Sequence, residues 1–231
     1  VADSLSERFR PKQFLDLWGS STYIIGQDLC KSIAKDDFNR FLLLQGKPGT
    51  GKTTIARIVS RAINCTGSKN GEPCLECANC KERDPSFIIE VNGADKRKID
   101  DVRVIIDDLY QSPWEEGARM KVFIIDEAHK LTKDAQEALL KPSEPEAKQL
   151  IESSIILCST EPQAIDKILR DRFQVKEIKS IPYSELLAKL QWFVYTNFKE
   201  QWKDKVNEVL VHIARCAGGS PRLALSYISI I

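Results

Sequence analysis

With 231 residues, the chain is long enough for one large domain, or for a medium and a small one, each with its own core. Its 42% hydrophobic and 29% charged residues are ordinary for a soluble globular protein, and no apolar run is long enough to cross a bilayer. A formal net charge of +1 excludes a broadly basic chain but leaves room for a local basic stripe.

The chain opens Val1-Ala2-Asp3-Ser4, without an initiator Met and without the basic-then-apolar pattern of a secretion signal, so a trimmed, intracellular chain is the expectation. Residues 41–45 (Phe-Leu-Leu-Leu-Gln) predict a strand that runs directly into a Gly-rich turn. A helix is expected over 53–63, with Ile55, Ile58, Val59 and Ala62 at helical spacing. Residues 64–86, rich in Gly, Pro and Cys, predict no regular structure. A strand at 87–91 precedes a helix at 99–110, whose apolar face is Ile99, Val102, Ile105, Ile106 and Leu109. Residues 122–125 are wholly apolar, as in a central parallel strand. Thr132 caps a predicted helix over 133–141, which Pro142 ends. Further strands fall at 155–158 and, as an edge, at 175–178. After Pro182 three helices follow (184–198, 203–217 and 221–230) with no strand between them. Strand and helix alternation predicts an α/β domain on a parallel sheet over 1–180, followed by a helical lid over 181–231.

The turn after the first strand, Gly46-Lys47-Pro48-Gly49-Thr50-Gly51-Lys52-Thr53, fits the phosphate-loop pattern G-x-x-x-x-G-K-[ST]. Its glycines let successive backbone N–H groups point at phosphate oxygens, and the following helix presents its positive end to the same anion. Gly46, Pro48, Gly49, Thr50, Gly51 and Thr54 are therefore candidate nucleotide contacts; Lys52 would neutralise the β/γ-phosphates, and Thr53 would ligate Mg²⁺. At the end of the central strand, Asp126 is expected to hold the Mg²⁺ and its waters, and Glu127 to polarise the attacking water. Alone, that acidic pair reads equally well as solvated acids at a strand end; an intact phosphate loop in the same chain favours the catalytic reading.

Seven cysteines, an odd number, argue against a disulfide framework. Cys65, Cys74, Cys77 and Cys80 are separated by eight, two and two residues, a spacing at which four thiolates can close a tetrahedron around Zn²⁺. A four-Cys set predicts a structural zinc module at about 64–82; four unrelated free thiols are the alternative. Cys30, Cys158 and Cys216 read as small core residues, His212 as a packing residue, and His129 as structural or coupling rather than catalytic.

Asp126-Glu127-Ala128-His129, followed by Lys130-Leu131-Thr132 and Ala138-Leu139-Leu140-Lys141, resembles the clamp-loader subunits of AAA+ ATPases. Arg10-Pro11 with Phe14 and Gly19, Asn92-Gly93-Ala94-Asp95, Ile99-Asp100-Asp101-Val102-Arg103 and Gly219-Ser220-Pro221-Arg222 resemble further segments of that family in the same order. The cysteine arrangement after the phosphate-loop helix is similar to that of the bacterial DNA polymerase III gamma/tau and delta-prime branches. The resemblance implies an AAA+ phosphate-loop fold and an ATPase that opens and loads a sliding clamp. Arg10 and Pro11 would lie near the adenine, Ser159 and Thr160 with the nucleotide contacts, and Arg222 at the γ-phosphate. Arg172 would act in trans on a neighbour's ATP. The implied cofactors are ATP, Mg²⁺ and Zn²⁺. The implied partners are other clamp-loader subunits in a hetero- or homo-oligomeric ring, a sliding clamp and primed DNA, in the cytoplasm of a bacterial or phage-infected cell, with no membrane. Lys96, Arg97 and Lys98 precede a helix whose start faces DNA in the family, so backbone phosphates are their expected contact; on charge alone they read as a solvated turn.

The sequence also departs from the pattern. Asp171-Arg172-Phe173 stands where the family carries Ser-Arg-Cys; Pro142 and Pro145 interrupt a segment that is usually helical; and Gly19-Ser20 replaces an expected Gly-Gln, with Gly26-Gln27 lying seven residues on. A divergent relative, phage-encoded ones included, is the expectation, and the family's collar-forming third domain is not expected within these residues. The competing readings are a non-hydrolysing, delta-prime-like subunit and another AAA+ DNA motor such as a branch-migration machine.

Overall fold

The structure is a computed structural model that describes residues 4–230 apart from 69, 82–84, 96–98, 112–116, 145, 148–150 and 199–205. Five strands form one parallel sheet: β1 (Phe41–Gly46), β2 (Ile88–Asn92), β3 (Lys121–Asp126), β4 (Ser153–Ser159) and β5 (Gln174–Ile178), in the order β2-β3-β4-β1-β5. Leu43 of β1 stands opposite Leu157 of β4 and Val175 of β5, and Ile125 of β3 stands opposite Val91 of β2 and Leu157. The apolar runs of β1, β3 and β4 are continuous because those strands are covered on both faces. One face packs Leu42, Leu44, Val122 and Ile156 against Ile55, Ile58 and Val59 of the helix Lys52–Ile63. The other packs Phe41, Phe123, Ile125 and Leu157 against Val102, Ile105 and Leu109 of the helix Ile99–Leu109.

The helices Tyr183–Asn197, Val206–Cys216 and Pro221–Ile228 bury a cluster of their own, in which Leu186, Leu190, Phe193, Leu210 and Leu225 take part. The N-terminal segment packs against it through Leu5, Phe9 and Trp18; Phe9 meets Phe193 edge to face, with ring centroids 4.8 Å apart. Residues 203–205 of the expected middle helix lie outside the described residues. Among the described residues, no helix is long and apolar enough to cross a membrane.

Cys216 and His212, expected as core and packing residues, are exposed on the helix Val206–Cys216, and three features of the backbone also differ from expectation. The 15-residue helix Ser20–Ala34 has no counterpart in the predicted elements; Gly26 sits inside it because a Cβ there would lie 2.7 Å from Leu17 Cδ1, so the helix approaches Leu17 and Phe14 closely. The helix expected over 133–141 stops at Ala138. The chain then tightens: Leu139, Leu140 and Ser143 each donate to the carbonyl three residues back, while Pro142 has no N–H to donate to the Ala138 carbonyl and so cannot continue the helix. Within the irregular 64–86 stretch, one helical turn, Ala78–Lys81, carries Cys80.

Asn64 closes the floor of the sheet beside the phosphate-loop helix. It caps that helix, and its buried Nδ2 donates to Ser60 O and Met120 O, both at 3.0 Å. Its Oδ1 accepts from the N–H groups of Arg119 and Met120 at 2.7 and 2.9 Å. The end of the helix is thereby tied to the start of β3.

Candidate functional site

The phosphate loop leaves the sheet at Gly46, where a Cβ would lie 2.2 Å from the carbonyl oxygen of Ile178 on β5, an approach that only glycine allows. Gly51, with a left-handed φ of 106°, caps the following helix. Thr50 Oγ1 donates to Lys47 O at 2.9 Å and fixes the loop from within. Lys52 Nζ donates to Gly46 O and to Lys47 O, each at 2.9 Å. Its burial pulls the ammonium pKa down, and the carboxylates of Asp126 and Glu127 oppose that shift. Thr53 Oγ1 donates to Asp126 Oδ2 at 2.7 Å, so the hydroxyl and carboxylate expected to share a divalent cation are already adjacent.

Asp126 ends β3, and Glu127 follows in the left-handed region with φ 53°. The turn is held by Glu127 N–H donating to Asp126 Oδ1 at 2.9 Å, and by Gly93 N–H donating to Asp126 O at 2.7 Å. A Cβ at Gly93 would stand 2.8 Å from Glu127 O, which explains the glycine in the segment after β2. Lys130 Nζ lies 2.8 Å from Glu127 Oε2, and this hydrogen bond, prevailing over partial burial, holds the Glu127 carboxyl below the usual carboxylate range. His129 is buried between Glu127 and the end of β4: its Nε2 is 3.5 Å from Glu127 Oε2 and 3.5 Å from Thr160 Oγ1, and its Nδ1 is 3.4 Å from Ser159 Oγ.

Lys52, Thr53, Asp126 and Glu127 line one cavity of about 340 Å³, a size suited to a ligand pocket. Of the expected contacts, Arg10, Pro11, Pro48, Gly49, Thr50, Gly51, Lys52, Thr53, Thr54, Asp126, Glu127, Thr160 and Arg222 line it. Gly46 reaches the site through its bond from Lys52, and Ser159 through His129. Arg172 does not line the cavity; it ends the helix Lys167–Arg172, with Nη1 3.8 Å from Glu144 Oε1. Lys96, Arg97 and Lys98 lie outside the described residues. Sequence reasoning missed several lining residues, among them Ser6, Glu7, Phe9, Trp18, Arg57 and Glu90. Arg57, which pairs with Glu90 at 2.7 Å, lies one helical turn beyond Thr53 on the same face, and that spacing was the available signal.

The second site is the cysteine cluster. The four Sγ atoms of Cys65, Cys74, Cys77 and Cys80 all lie within 4.8 Å of one another, and those of Cys65 and Cys77 are 3.9 Å apart. Four thiolates at about 2.3 Å from a tetrahedral Zn²⁺ stand about 3.8 Å apart, so the set fits zinc. The turn that gathers them has Leu75 in the left-handed region at φ 61°. Backbone N–H groups favour the ionised sulfurs: Cys74 N–H donates to Cys65 Sγ at 3.2 Å, and Cys77 N–H to Cys74 Sγ at 3.3 Å. At Cys77 burial acts against the thiolate, but hydrogen bonds from Thr66 and Cys80 outweigh it and bring the pKa down to about 6.

A profile of the family described as "DNA polymerase III, delta subunit" matches residues 23–182, more than half of the chain. The DNA polymerase III subunit gamma of Buchnera aphidicola (from Acyrthosiphon pisum) is 28% identical over 225 residues, covering 96% of this chain and 59% of that one. Subunit tau of Bacillus subtilis is 34% identical over 221 residues (94% and 37%), and subunit tau of Escherichia coli 28% over 225 (96% and 33%). The chain thus spans between about a third and three-fifths of these relatives. Among solved structures, the Thermotoga maritima RuvB Holliday junction branch migration motor superposes with a TM-score of 0.64 at 21% identity, covering 94% of this chain and 63% of that one. That likeness carries the fold: a parallel sheet with helices on both faces, which in this chain bears the phosphate loop and the cysteine cluster.

Proposed function

Because the chain belongs to the DNA polymerase III delta-subunit family, we propose that it is the ATPase subunit of a DNA polymerase clamp loader, of the gamma/tau kind. It would use ATP binding and hydrolysis to open a sliding clamp and load it on primed DNA during replication. The observation that carries this reading is the convergence of Lys52, Thr53, Asp126 and Glu127 on one cavity. A subunit that only supports its neighbours has no need of all four, which separates the reading from a non-hydrolysing, delta-prime-like role.

The residues divide the work. The N–H groups of the loop and the ammonium of Lys52 would hold the β- and γ-phosphates. Thr53 and Asp126 would hold Mg²⁺, which when bound neutralises charge on the phosphate oxygens. Glu127 would accept the proton of the attacking water once its carboxylate leaves Lys130. Arg222, two residues after a helix cap that touches the loop, would follow the γ-phosphate. Arg172 would complete a neighbouring subunit's site, in keeping with its place outside this chain's own cavity.

In this reading residues 1–180 are the nucleotide-binding domain and 181–231 its lid, and the cysteine cluster holds a structural Zn²⁺. Lys96, Arg97 and Lys98 would meet DNA backbone phosphates, holding the duplex without reading its sequence. The assembly would work in the cytoplasm of a bacterial or phage-infected cell. A branch-migration motor shares the fold, but the four-cysteine cluster favours the clamp loader.

The test is ATP turnover by the chain, alone and with partner subunits, a candidate clamp and primed DNA. Turnover that rises with clamp and primed DNA is expected. A chain that binds no ATP would end the proposal.

A further inference from the structure

The cysteine loop is bonded to the strap of chain that walls the nucleotide cavity. Gln13 Nε2 donates to Pro73 O at 2.8 Å, and Phe14 N–H donates to Glu72 Oε2 at 2.9 Å. Both acceptors lie within two residues of Cys74. The same loop is pressed onto the helix Ser20–Ala34: Cys30 Sγ donates to Asn70 O at 3.2 Å, and a Cβ at Gly71 would stand 2.0 Å from Cys30 O. Arg10 and Pro11 on one side of Gln13–Phe14, and Leu17 and Trp18 on the other, line the cavity. The strap therefore has both ends in the nucleotide wall and its middle on the cysteine loop.

We propose that Glu72 and Gln13 are positioning residues through which the folded cysteine loop holds residues 10–18 in the wall of the nucleotide cavity, so that metal occupancy and nucleotide affinity are linked. The inference rests on the nucleotide reading of that cavity. A strap that is already held pays no ordering entropy when the ligand arrives, and a freed one does. The Glu72 bond is a buried one, so losing its acceptor would leave the Phe14 N–H without a partner. Linkage runs both ways: whatever factor the metal adds to nucleotide affinity, the nucleotide returns to metal affinity.

The experiment titrates the wild-type chain, Glu72→Ala, Glu72→Gln and Gln13→Ala with ATP and with inorganic tripolyphosphate, and measures zinc content in each. Tripolyphosphate carries the phosphates but nothing to rest on the apolar wall of Phe9, Pro11, Leu17 and Trp18. Glu72→Ala should retain zinc, bind ATP about tenfold more weakly, the scale of one lost buried hydrogen bond, and bind tripolyphosphate as before. Glu72→Gln should recover most of the ATP affinity, because its amide oxygen still accepts from Phe14. ATP should also slow zinc loss to a chelator in the wild type and do so less in Glu72→Ala. If Glu72→Ala does not fold, Gln13→Ala decides, with a smaller but equally ATP-selective loss. Wild-type ATP affinity in the folded variants, or an equal loss of both ligands, would overturn the coupling. A wild-type chain that binds neither ligand would overturn the nucleotide reading itself.

Discussion

Ser220 Oγ donates to the carbonyl of Gly49 at 3.1 Å, a bond between the C-terminal helices and the phosphate loop, 171 positions earlier in the chain. Ser220 is also the N-cap of the helix Pro221–Ile228, accepting from Leu223 N–H at 3.2 Å, so the cap that starts the helix also sets Arg222 over the loop. A Cβ at Gly49 would stand 2.3 Å from that oxygen, on a backbone with φ +72°. Gly49→Ala is therefore expected to cost about 1–3 kcal/mol of backbone strain and to weaken ATP binding by about ten- to a hundredfold. Ser220→Ala loses a cap and one hydrogen bond, about 1–2 kcal/mol of stability. Calorimetric titration and thermal unfolding of the two variants distinguish these outcomes.

Lys52→Ala and Glu127→Gln should fail differently. Without the Lys52 ammonium, tight ATP binding is lost. Glu127→Gln leaves the loop intact, so binding stays near wild type while turnover falls by about 10²–10⁴, the usual share of a general base. Normal turnover by Glu127→Gln would remove Glu127 from that role.

The Glu127–Lys130 pair makes a pH prediction. Glu127 is useful as a base only when ionised, and the Lys130 hydrogen bond holds its pKa below the ordinary value. The acid limb of kcat/KM reports that pKa in the free enzyme. Lys130→Ala should move the limb to higher pH, whereas Lys130→Arg should leave it nearly in place. An unmoved limb in Lys130→Ala would show that another group controls it.

The purified chain should carry one Zn²⁺, released only with loss of order in residues 64–86. Cys77→Ser should lower zinc content and expose the loop to protease while the sheet stays folded. Protein prepared without chelator or oxidant that contains no zinc would contradict the assignment.

Arg172 gives the assembly prediction. An arginine that stabilises charge on a neighbour's nucleotide is worth about 10³–10⁵ in rate and does nothing in a monomer. The isolated chain should bind ATP and hydrolyse it feebly, with turnover restored by partner subunits and lost again in Arg172→Ala. Mixing Arg172→Ala with Glu127→Gln should recover part of the activity, one supplying the base and the other the arginine. A fully active monomer would refute the trans mechanism.

The strands and the position of the phosphate loop were legible because each is written locally. β1, β3 and β4 are buried on both faces and read as unbroken apolar runs, and the phosphate loop and acidic pair sit at their ends. The helix Ser20–Ala34 was not legible. Its buried positions mix Leu29 and Ile33 with Thr22, Gly26 and Cys30, which breaks the apolar stripe; Gly26 serves the close approach to Leu17 and Phe14, and Cys30 meets Asn70. Nor was the N-terminal wall: Ser6, Glu7 and Phe9 reach the cavity because Phe9 packs on Phe193, a contact between chain ends that no short window encodes. The early end of the helix 133–138 goes with Pro142, which has no N–H to donate to the Ala138 carbonyl.

Asn64 has a mechanical consequence. The 12-residue phosphate-loop helix is riveted to β3 at both ends, by Thr53 to Asp126 above and by Asn64 to Met120 below. At about 1.5 Å per residue it is a strut of fixed length between those rivets, and tilting it means breaking one of them. Loop and acidic pair are therefore held as a single body, and any change in spacing on ligand binding is expected to fall to the parts hung around it, the C-terminal helices and the N-terminal strap. Hydrogen exchange would record this directly: the amides of Arg119 and Met120, both held by Asn64, should open only with the sheet itself, long after those of the surrounding elements.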